Sequence, residues 1–326
     1  MSDYKFHPDL HAMLPLLPIL TDFSTAEKVR KIRKLNAEMM PVVEDRTDVT
    51  TEDRMIPGPE GAPEVQVRIY RPGAEAPGLS AGDGDDPLPG ILEIHGGGFM
   101  LGSIEMTDRW CQFITATVGV VVVSVEYRLA PEHPFPAGIE DCYAALCWMA
   151  AHADSLGLDA TRLAISGQSA GGGLAAGTAL MARDRSGPAL ALQLLEIPEL
   201  DDRLDTPSML AFEDTPVWNR PNAVWSWQHY LGPDHAAGDP VSPYAAPARA
   251  QDLRGLPTTY ISTMQYDPLR DEGLRYGVRL METGVTVEMH SYAGTFHGSA
   301  MVTEAEPSVR NLAEVVTILR QVLRGA

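Results

Sequence analysis

The stretch Gly167–Gly171, which reads GQSAG, carries the strongest signal in this 326-residue sequence. It follows the apolar run 163–165 and precedes a segment of small residues, 172–179, that is predicted to be helical. A serine on such a strand-to-helix turn presents its hydroxyl at the edge of a sheet. The strained backbone and crowded flanks require a glycine two residues to either side. Ser169 is therefore a candidate nucleophile, although the pentapeptide alone also occurs by chance.

Composition limits the class of protein. Hydrophobic residues make up 44% of the chain and charged residues 21%, which is ordinary for a soluble globular protein. The formal net charge of −19 argues against nucleic acid or an anionic membrane as a partner, because phosphate binding requires clustered Lys and Arg. The apolar stretch 12–20 is broken by two prolines and is too short to span a bilayer. We expect no membrane partner.

The three cysteines, Cys111, Cys142 and Cys147, fall in segments that are predicted to be helical. An odd number without metal-ligand spacing predicts a reducing compartment and no disulfide framework. The sequence contains no CxxC or HExxH motif, so zinc is not expected. We predict a cytoplasmic protein without a metal or cofactor, and the sequence leaves a homodimer open.

Short apolar runs recur from residue 90 onward, at 91–94, 119–125, 163–166, 189–195 and 258–264. Helical stretches separate most of them, which is typical of a mostly parallel sheet covered by helices on both faces. A further strand is predicted at 285–292 and a closing helix at 308–323. Upstream, the alternation at 65–70 predicts an edge strand, and the Gly-, Pro- and Asp-rich stretch 72–89 predicts a solvated loop.

Two segments fall outside this alternation. Residues 1–45 are predicted to be helical, and four apolar residues within them recur at helical spacing: Val29, Ile32, Leu35 and Met39. Residues 201–250 are rich in Asp, Pro and aromatic residues, and they are interpreted as an insertion between two strands.

Three consecutive glycines, Gly96–Gly98, directly follow the strand at 91–94. Such a run costs conformational entropy and needs a reason. One reason is an oxyanion hole, in which backbone N–H groups converge on the negative oxygen of a tetrahedral intermediate. A flexible glycine turn is the other. In an oxyanion hole Gly96 and Gly97 would supply two donors, and Ala170, which follows the nucleophile, would supply a third.

A serine nucleophile needs a base and a carboxylate that orients the base, and in such a fold they follow in the order Ser, acid, His. Of the nine histidines, only His290 and His297 lie after the insertion at 201–250. His290 falls within the predicted strand 285–292, whereas His297 lies in a loop after it, where catalytic groups tend to sit. His297 is therefore the predicted base.

The candidate acid is Asp267, at the carboxyl end of the strand at 258–264. It is also a plausible helix N-cap, because a proline follows it. Asp271 lies in the first turn of the same helix, where it complements the helix dipole. Glu199 and Asp201, which follow the preceding strand, are the alternatives.

Together these motifs resemble the hormone-sensitive-lipase-like family of α/β-hydrolase-fold carboxylesterases, in its bacterial branch. The motifs that carry the resemblance are, in chain order, His95–Gly98, Glu126–Glu132, Gly167–Gly172, Asp267–Glu272 and His297–Gly298. The resemblance covers roughly residues 60–325. It implies an α/β-hydrolase fold with a mostly parallel eight-stranded sheet, flanking helices and a helical cap. It also implies hydrolysis of small esters with short to medium acyl chains.

The resemblance also assigns residues and segments. By position, the catalytic triad would be Ser169, Asp267 and His297, and the oxyanion donors Gly96, Gly97 and Ala170. Residues 1–45 would form the first part of the cap and 201–250 its inserted part. The α/β-hydrolase core would comprise 46–200 and 251–326.

Four further residues bear on the site. Gln168 stands where related sequences usually carry Asp, which removes a negative charge beside the nucleophile. We hypothesise that an Asp there would raise the pKa of the catalytic histidine, because a nearby opposite charge favours the charged imidazole.

The candidate substrate contacts are Phe99, Trp218 and Trp225, since aromatic side chains often line a pocket. Such side chains also form the core of a small helical cap.

Two rival functions share this fold. A serine peptidase would need a recognition site for a peptide amine, and the sequence has no dedicated accessory domain. A non-catalytic receptor for a small ligand is the second rival. The plant gibberellin receptors resemble the same family but lack the catalytic histidine, which is present here as His297.

Overall fold

The computed structural model describes residues 4–17, 22–40, 43–44, 46–79, 86–236 and 238–325. Its centre is an eight-stranded sheet with the strand order β1-β2-β4-β3-β5-β6-β7-β8. The strands are β1 Val49–Ile56, β2 Val65–Pro72, β3 Leu88–Ile94, β4 Val121–Glu126, β5 Leu158–Gln168, β6 Leu192–Glu196, β7 Thr258–Tyr266 and β8 Val287–Phe296. The pairs β1–β2 and β2–β4 are antiparallel, and all other pairs are parallel. The predicted α/β fold with a mostly parallel eight-stranded sheet is confirmed.

Helices cover both faces of the sheet. They are α1 Ala26–Met39, α2 Asp108–Ile114, α3 Ala137–Ala151, α4 Ala153–Leu156, α5 Ala170–Asp184, α6 Pro207–Ala211, α7 Arg220–Leu231, α8 Arg270–Glu282 and α9 Glu306–Leu319. Helices α3, α5 and α8 pack on one face, and α2 and α9 pack on the other. The strands are apolar on both sides because both faces are covered.

Strand β3 shows how the sequence divides between the two faces. Side chains alternate along a strand, so Ile91 packs with the cluster of α2 and α9 whereas Leu92 packs with that of α3 and α5. Both side chains are buried. Burial of one such side chain contributes about 1.5–3 kcal/mol to stability. The apolar clusters on the two faces together stabilise the sheet, whose parallel strands end at one common edge.

The strand at 65–70 was predicted to lie at the edge of the sheet, and this prediction is wrong. Strand β2 lies between β1 and β4, and β1 is the edge. Strand β1 was not predicted, because charged residues interrupt its apolar alternation. In the structure they pair across the two strands, for example Arg71 with Glu52 and Arg68 with Asp53. Charge of this kind protects an edge strand from pairing with another chain.

Helix α1 and the insertion share one apolar cluster. Phe23 and Val29 pack with Met209 and Trp218 of the insertion, and the cluster extends to Leu269 at the start of α8. On the rest of α1 the predicted apolar spacing does not lead to burial, since Leu35 and Met39 are exposed. The prediction that residues 1–45 are helical holds for α1, while residues 4–17 form two short 3-10 turns. Within that segment, residues 1–3, 18–21, 41–42 and 45 lie outside the described part.

The N-terminal segment also reaches the last strand. The His7 amide donates to the Gly294 carbonyl at 2.8 Å, and Phe6 and Leu10 pack against Phe296 and Ala305. The segment therefore lies directly behind the loop that carries His297. This contact and the shared cluster are consistent with the predicted cap, whose boundaries stay a prediction.

The remaining predictions concern loops and cysteines. The predicted loop 72–89 includes residues 80–85, which lie outside the described part; β2 ends at Pro72 and β3 begins at Leu88. The cysteines lie in α2 and α3, as predicted, and all three are free thiols. In the part of the chain that the structure describes, no helix has the length and apolar character needed to cross a membrane.

Candidate active site

Ser169 lies at the turn between β5 and α5, with a positive φ of 57°. A side chain at either flanking glycine would collide with the backbone. A Cβ at Gly167 would lie 2.3 Å from the Gly171 carbonyl oxygen, and a Cβ at Gly171 would lie 2.1 Å from the Ile94 carbonyl oxygen. The strained conformation and the two glycines therefore belong together: they bring the nucleophile close to the end of β3.

The structure brings the three predicted triad side chains into contact. His297 Nε2 lies 3.0 Å from Ser169 Oγ, and His297 Nδ1 lies 2.7 Å from Asp267 Oδ2. All three side chains are buried, with 7% exposure for Ser169 and 5% for His297. The geometry allows the imidazole to accept the serine proton at Nε2 while the carboxylate accepts the hydrogen bond from Nδ1.

Asp267 is held by the start of the following helix. Its Oδ1 accepts a hydrogen bond from the Leu269 amide at 2.8 Å, while Oδ2 faces the imidazole. Helix α8 begins at Arg270, so Asp267 is not the residue directly before the helix. The N-cap interpretation drawn from the sequence is therefore wrong, because Leu269 precedes the helix. One carboxylate oxygen of Asp267 instead stabilises the turn into α8, and the other lies against the His297 imidazole.

The alternative residues lie elsewhere. Asp201 pairs with Arg203, with 2.6 Å between Oδ2 and Nη2, and Asp271 accepts from the Ser208 amide at 2.9 Å. His290 lies between Glu288 and Glu314 on the outer strand β8. Glu199 is fully buried but makes no hydrogen bond to His297.

The candidate oxyanion donors border the nucleophile. A Cβ at Gly96 would lie 3.5 Å from Ser169 Cβ, so this position faces the serine with no side chain between. Among the described residues, the amides of Gly96, Gly97 and Ala170 donate to no acceptor. Free N–H groups at the first turn of α5 and in the glycine loop fit the needs of an oxyanion hole.

His95 shapes the glycine loop. Its ring stacks on Tyr127 with 4.2 Å between centroids, and Nδ1 lies 2.8 Å from the Gly96 carbonyl oxygen. Burial lowers the pKa of His95 to about 4, so the neutral ring donates through Nδ1 to that carbonyl. The loop then turns through positive φ at Gly97, Gly98 and Phe99.

The aromatic candidates differ in position. The Trp218 ring lies 6.0 Å from the His297 ring between centroids, and its indole N–H has no partner among the residues described. Trp225 is partly buried and stacks on His229 of the same helix, α7. Phe99 is buried and stacks on Tyr230 with 3.9 Å between centroids. Of the three candidates, Trp218 is the one whose ring contacts that of His297. Contact of any of the three with substrate stays a prediction.

Sequence reasoning missed Arg33, which connects α1 to the loop beside the site. Its Nε donates to the Met100 carbonyl at 2.6 Å, Nη2 donates to the Ala130 carbonyl, and Nη1 pairs with Glu132 at 2.8 Å. An arginine on a half-exposed helix gives no sign in the sequence of such distant partners.

As for metals, the described ranges contain no cluster of three or more His, Cys, Asp or Glu side chains that could hold an ion.

Comparison with known proteins gives the family. A model of the alpha/beta hydrolase fold family matches residues 91–301, which is more than half of the chain. The chain belongs to the hormone-sensitive-lipase-like family of α/β-hydrolase-fold carboxylesterases. The resemblance stated from the motifs is confirmed. The relatives described next, which are named esterase and carboxylesterase, show that the chain is a carboxylic-ester hydrolase.

Relatives in this family are similar over most of their length. Esterase LipI of Mycobacterium tuberculosis is 39% identical over 84% of this chain and 82% of its own. Carboxylesterase NlhH of the same organism is 36% identical over 89% and 88%. Among solved structures, a bacterial heroin esterase superimposes with a TM-score of 0.90 at 48% identity, and the match covers 98% of both chains.

Proposed function

We propose that the protein is a serine carboxylesterase that hydrolyses small esters with short to medium acyl chains, with Ser169, His297 and Asp267 as its catalytic triad. The observation that carries the proposal is the continuous hydrogen-bond chain from Asp267 through His297 to Ser169 Oγ. The family assignment and the names of its relatives, esterase and carboxylesterase, support ester hydrolysis.

The reaction begins when Ser169 Oγ attacks the ester carbonyl carbon and His297 Nε2 accepts the hydroxyl proton. Asp267 keeps the ring in the required tautomer and stabilises the imidazolium that forms. His297 then gives the proton to the leaving alcohol, and the acyl group remains on Ser169. A water molecule repeats the cycle on the acyl-enzyme, releases the carboxylic acid and restores the serine.

The negative oxygen of each tetrahedral intermediate would be stabilised by the amides of Gly96, Gly97 and Ala170. Their lack of acceptors supports this role, because preorganised donors need not break other hydrogen bonds when the charge develops. No metal or cofactor takes part in the proposed reaction.

The surroundings of the triad support a small substrate. Ser169 and His297 are almost completely covered. The Trp218 ring lies 6.0 Å from the His297 ring between centroids, and its N–H has no acceptor among the described residues. We propose that Trp218, in the insertion 201–250, contacts bound substrate. In this proposal residues 1–45 and 201–250 form the cap over a core of 46–200 and 251–326.

Two finer predictions belong to the same proposal. We propose a cytoplasmic location, which the three free thiols favour, because disulfides are rare in a reducing compartment. Assembly as a homodimer stays a prediction that light scattering of the purified protein will test.

The decisive experiment combines a covalent probe with turnover. A fluorophosphonate probe should label the wild-type protein at Ser169 and fail to label Ser169→Ala. Side-by-side turnover of p-nitrophenyl esters and peptide anilides should favour the esters by several orders of magnitude. Preferred turnover of anilides would support the peptidase. A properly folded wild type that neither labels nor turns over ester would support a receptor.

A further inference from the structure

Behind the nucleophile lies a buried acid that the proposed mechanism does not use. The Glu199 amide donates to the Ser169 carbonyl at 3.0 Å, and the residue is fully buried. Neither of its carboxyl oxygens has a well-formed hydrogen bond in the described part of the chain. The Ser226 hydroxyl, on α7 of the insertion, is near enough to the carboxyl to lower its pKa. A buried carboxyl without partners is costly unless it is protonated and donates its own hydrogen.

Ser226 connects this carboxyl to the glycine loop. Its Oγ donates to the Gly98 carbonyl at 3.0 Å. A serine hydroxyl has a single hydrogen to donate but can also accept a hydrogen bond. A protonated Glu199 can therefore donate to Ser226 Oγ while Ser226 still donates to the Gly98 carbonyl. An ionised Glu199 would compete for the Ser226 hydrogen and leave the Gly98 carbonyl unpaired.

We propose that Glu199, in its protonated form, is a positioning residue: it donates to Ser226 Oγ, which donates to the Gly98 carbonyl and so fixes the loop that carries the oxyanion donors. The inference rests on the oxyanion role proposed for Gly96 and Gly97. The loop needs such support, because Gly97, Gly98 and Phe99 all have positive φ.

The charges around Glu199 favour the protonated form. Burial raises its pKa to about 8; the Ser226 hydroxyl lowers the pKa and the negative charge of Asp267 raises it. The other titratable groups that face it are Glu272 on α8, Tyr127 after β4 and Tyr230 on α7. Burial raises the pKa of each of these three groups well above its ordinary value. None of these groups carries a positive charge, so none of them would stabilise an ionised Glu199.

The test is the alkaline limb of kcat/KM, measured by pH-stat with an uncharged ester between pH 6 and 10. In the wild type, kcat/KM should fall above about pH 8 as Glu199 ionises. Glu199→Gln keeps an N–H donor for Ser226 but cannot ionise, so this limb should disappear while the acidic limb is unchanged. A purely structural role would lower stability without removing the limb.

The matched control is Glu93, which is equally buried and whose pKa burial also raises to about 8, but which contacts Trp110 on the other face of the sheet. Glu93→Gln should retain the wild-type limb. If Glu199→Gln does not fold, Ser226→Ala should lose the limb and lower kcat at every pH. The proposal is overturned if the alkaline limb persists in Glu199→Gln. If Glu199→Gln does not fold, persistence of the limb in Ser226→Ala overturns it instead. Disappearance of the limb in Glu93→Gln would also overturn it. Ser169→Ala keeps the two proposals separate, because its continued activity would overturn the triad instead.

Discussion

Gln168 Nε2 donates a hydrogen bond to Glu196 Oε2 across 3.1 Å, so the side chain that precedes the nucleophile is held by strand β6 and not by the triad. Glu196 is buried, and its other oxygen accepts from Asn311 Nδ2 at 3.1 Å. The hypothesis that residue 168 adjusts the pKa of His297 stays a prediction, and this hydrogen bond favours the alternative role in packing. Gln168 supplies a donor that a buried carboxyl needs.

Replacing this amide should affect stability and leave catalysis nearly unchanged. Gln168→Asp removes the donor and adds a second carboxyl beside Glu196, so Tm should fall, and fall further as pH rises. The acidic limb of kcat/KM should stay in place. Gln168→Met serves as the control, because it loses only the hydrogen bond, which is worth about 1 kcal/mol. An acidic limb that moves to higher pH in Gln168→Asp would support the electrostatic hypothesis.

Loss of the nucleophile or the base should be equally damaging. Ser169→Ala and His297→Ala should each lower kcat by several orders of magnitude, and the double variant should be hardly worse, because residues that act as one unit are non-additive. Single-turnover and steady-state kinetics on one p-nitrophenyl ester measure all three variants. Losses that multiply in the double variant would show that one residue is misassigned.

The indole N–H of Trp218 should contribute to substrate binding. Trp218→Phe keeps an aromatic ring beside His297 and removes the buried donor that lacks a partner, so KM should rise several-fold with a smaller change in kcat. Trp227→Phe is the control, since the N–H of Trp227 also has no partner within the described ranges but its ring packs in the main core. Equal effects of the two substitutions on KM would rule out the contact.

Arg33 should hold helix α1 against the loop beside the candidate site. Its guanidinium donates to the Met100 and Ala130 carbonyls, and hydrogen bonds from a charged group contribute about 1.5–3 kcal/mol each. Arg33→Gln should lower Tm and raise KM for butyrate esters more than for acetate esters. Arg30→Gln is the control, because exposed Arg30 only approaches Glu132 at 3.4 Å. An acyl-chain preference that is unchanged in Arg33→Gln would contradict the role.

Glu93 should make the fold less stable as pH rises. Burial raises its pKa from 4.5 to about 8, so the folded protein retains a proton that the unfolded chain loses above about pH 4.5. The free energy of unfolding therefore decreases between these values. Glutamine cannot ionise, so Glu93→Gln removes this dependence of stability on pH. The Tm of Glu93→Gln minus the Tm of the wild type should increase from pH 5 to pH 8 and then stay constant. An advantage that does not change with pH would show that the carboxyl titrates normally.

The sequence was most informative where the chemistry is local. The glycines around Ser169 and the loop position of His297 follow from short motifs. Asp267 could be inferred because the carboxyl ends of parallel strands meet at one edge. The three side chains do lie in contact, and their catalytic roles stay a prediction.

Prediction failed where a residue's surroundings come from distant parts of the chain. The edge strand β1 was not predicted, because it carries charged residues and the cross-strand partners of these residues cannot be inferred from its own sequence. The same holds for Gln168, whose partner lies on the next strand, and for Arg33, whose acceptors lie 67 and 97 residues away. Glu199 could be named only as an alternative acid, since its contact with Ser226 depends on how the insertion folds back.

The contact between His7 and Gly294 has a consequence for the order of events during protein synthesis. The ribosome makes Phe6 and Leu10 long before their packing partners Phe296 and Ala305. These apolar side chains must therefore stay exposed until residues 296–305 have been made. His297 is made at the same stage. Until then the segment around Phe6 and Leu10 is open to aggregation or to a chaperone.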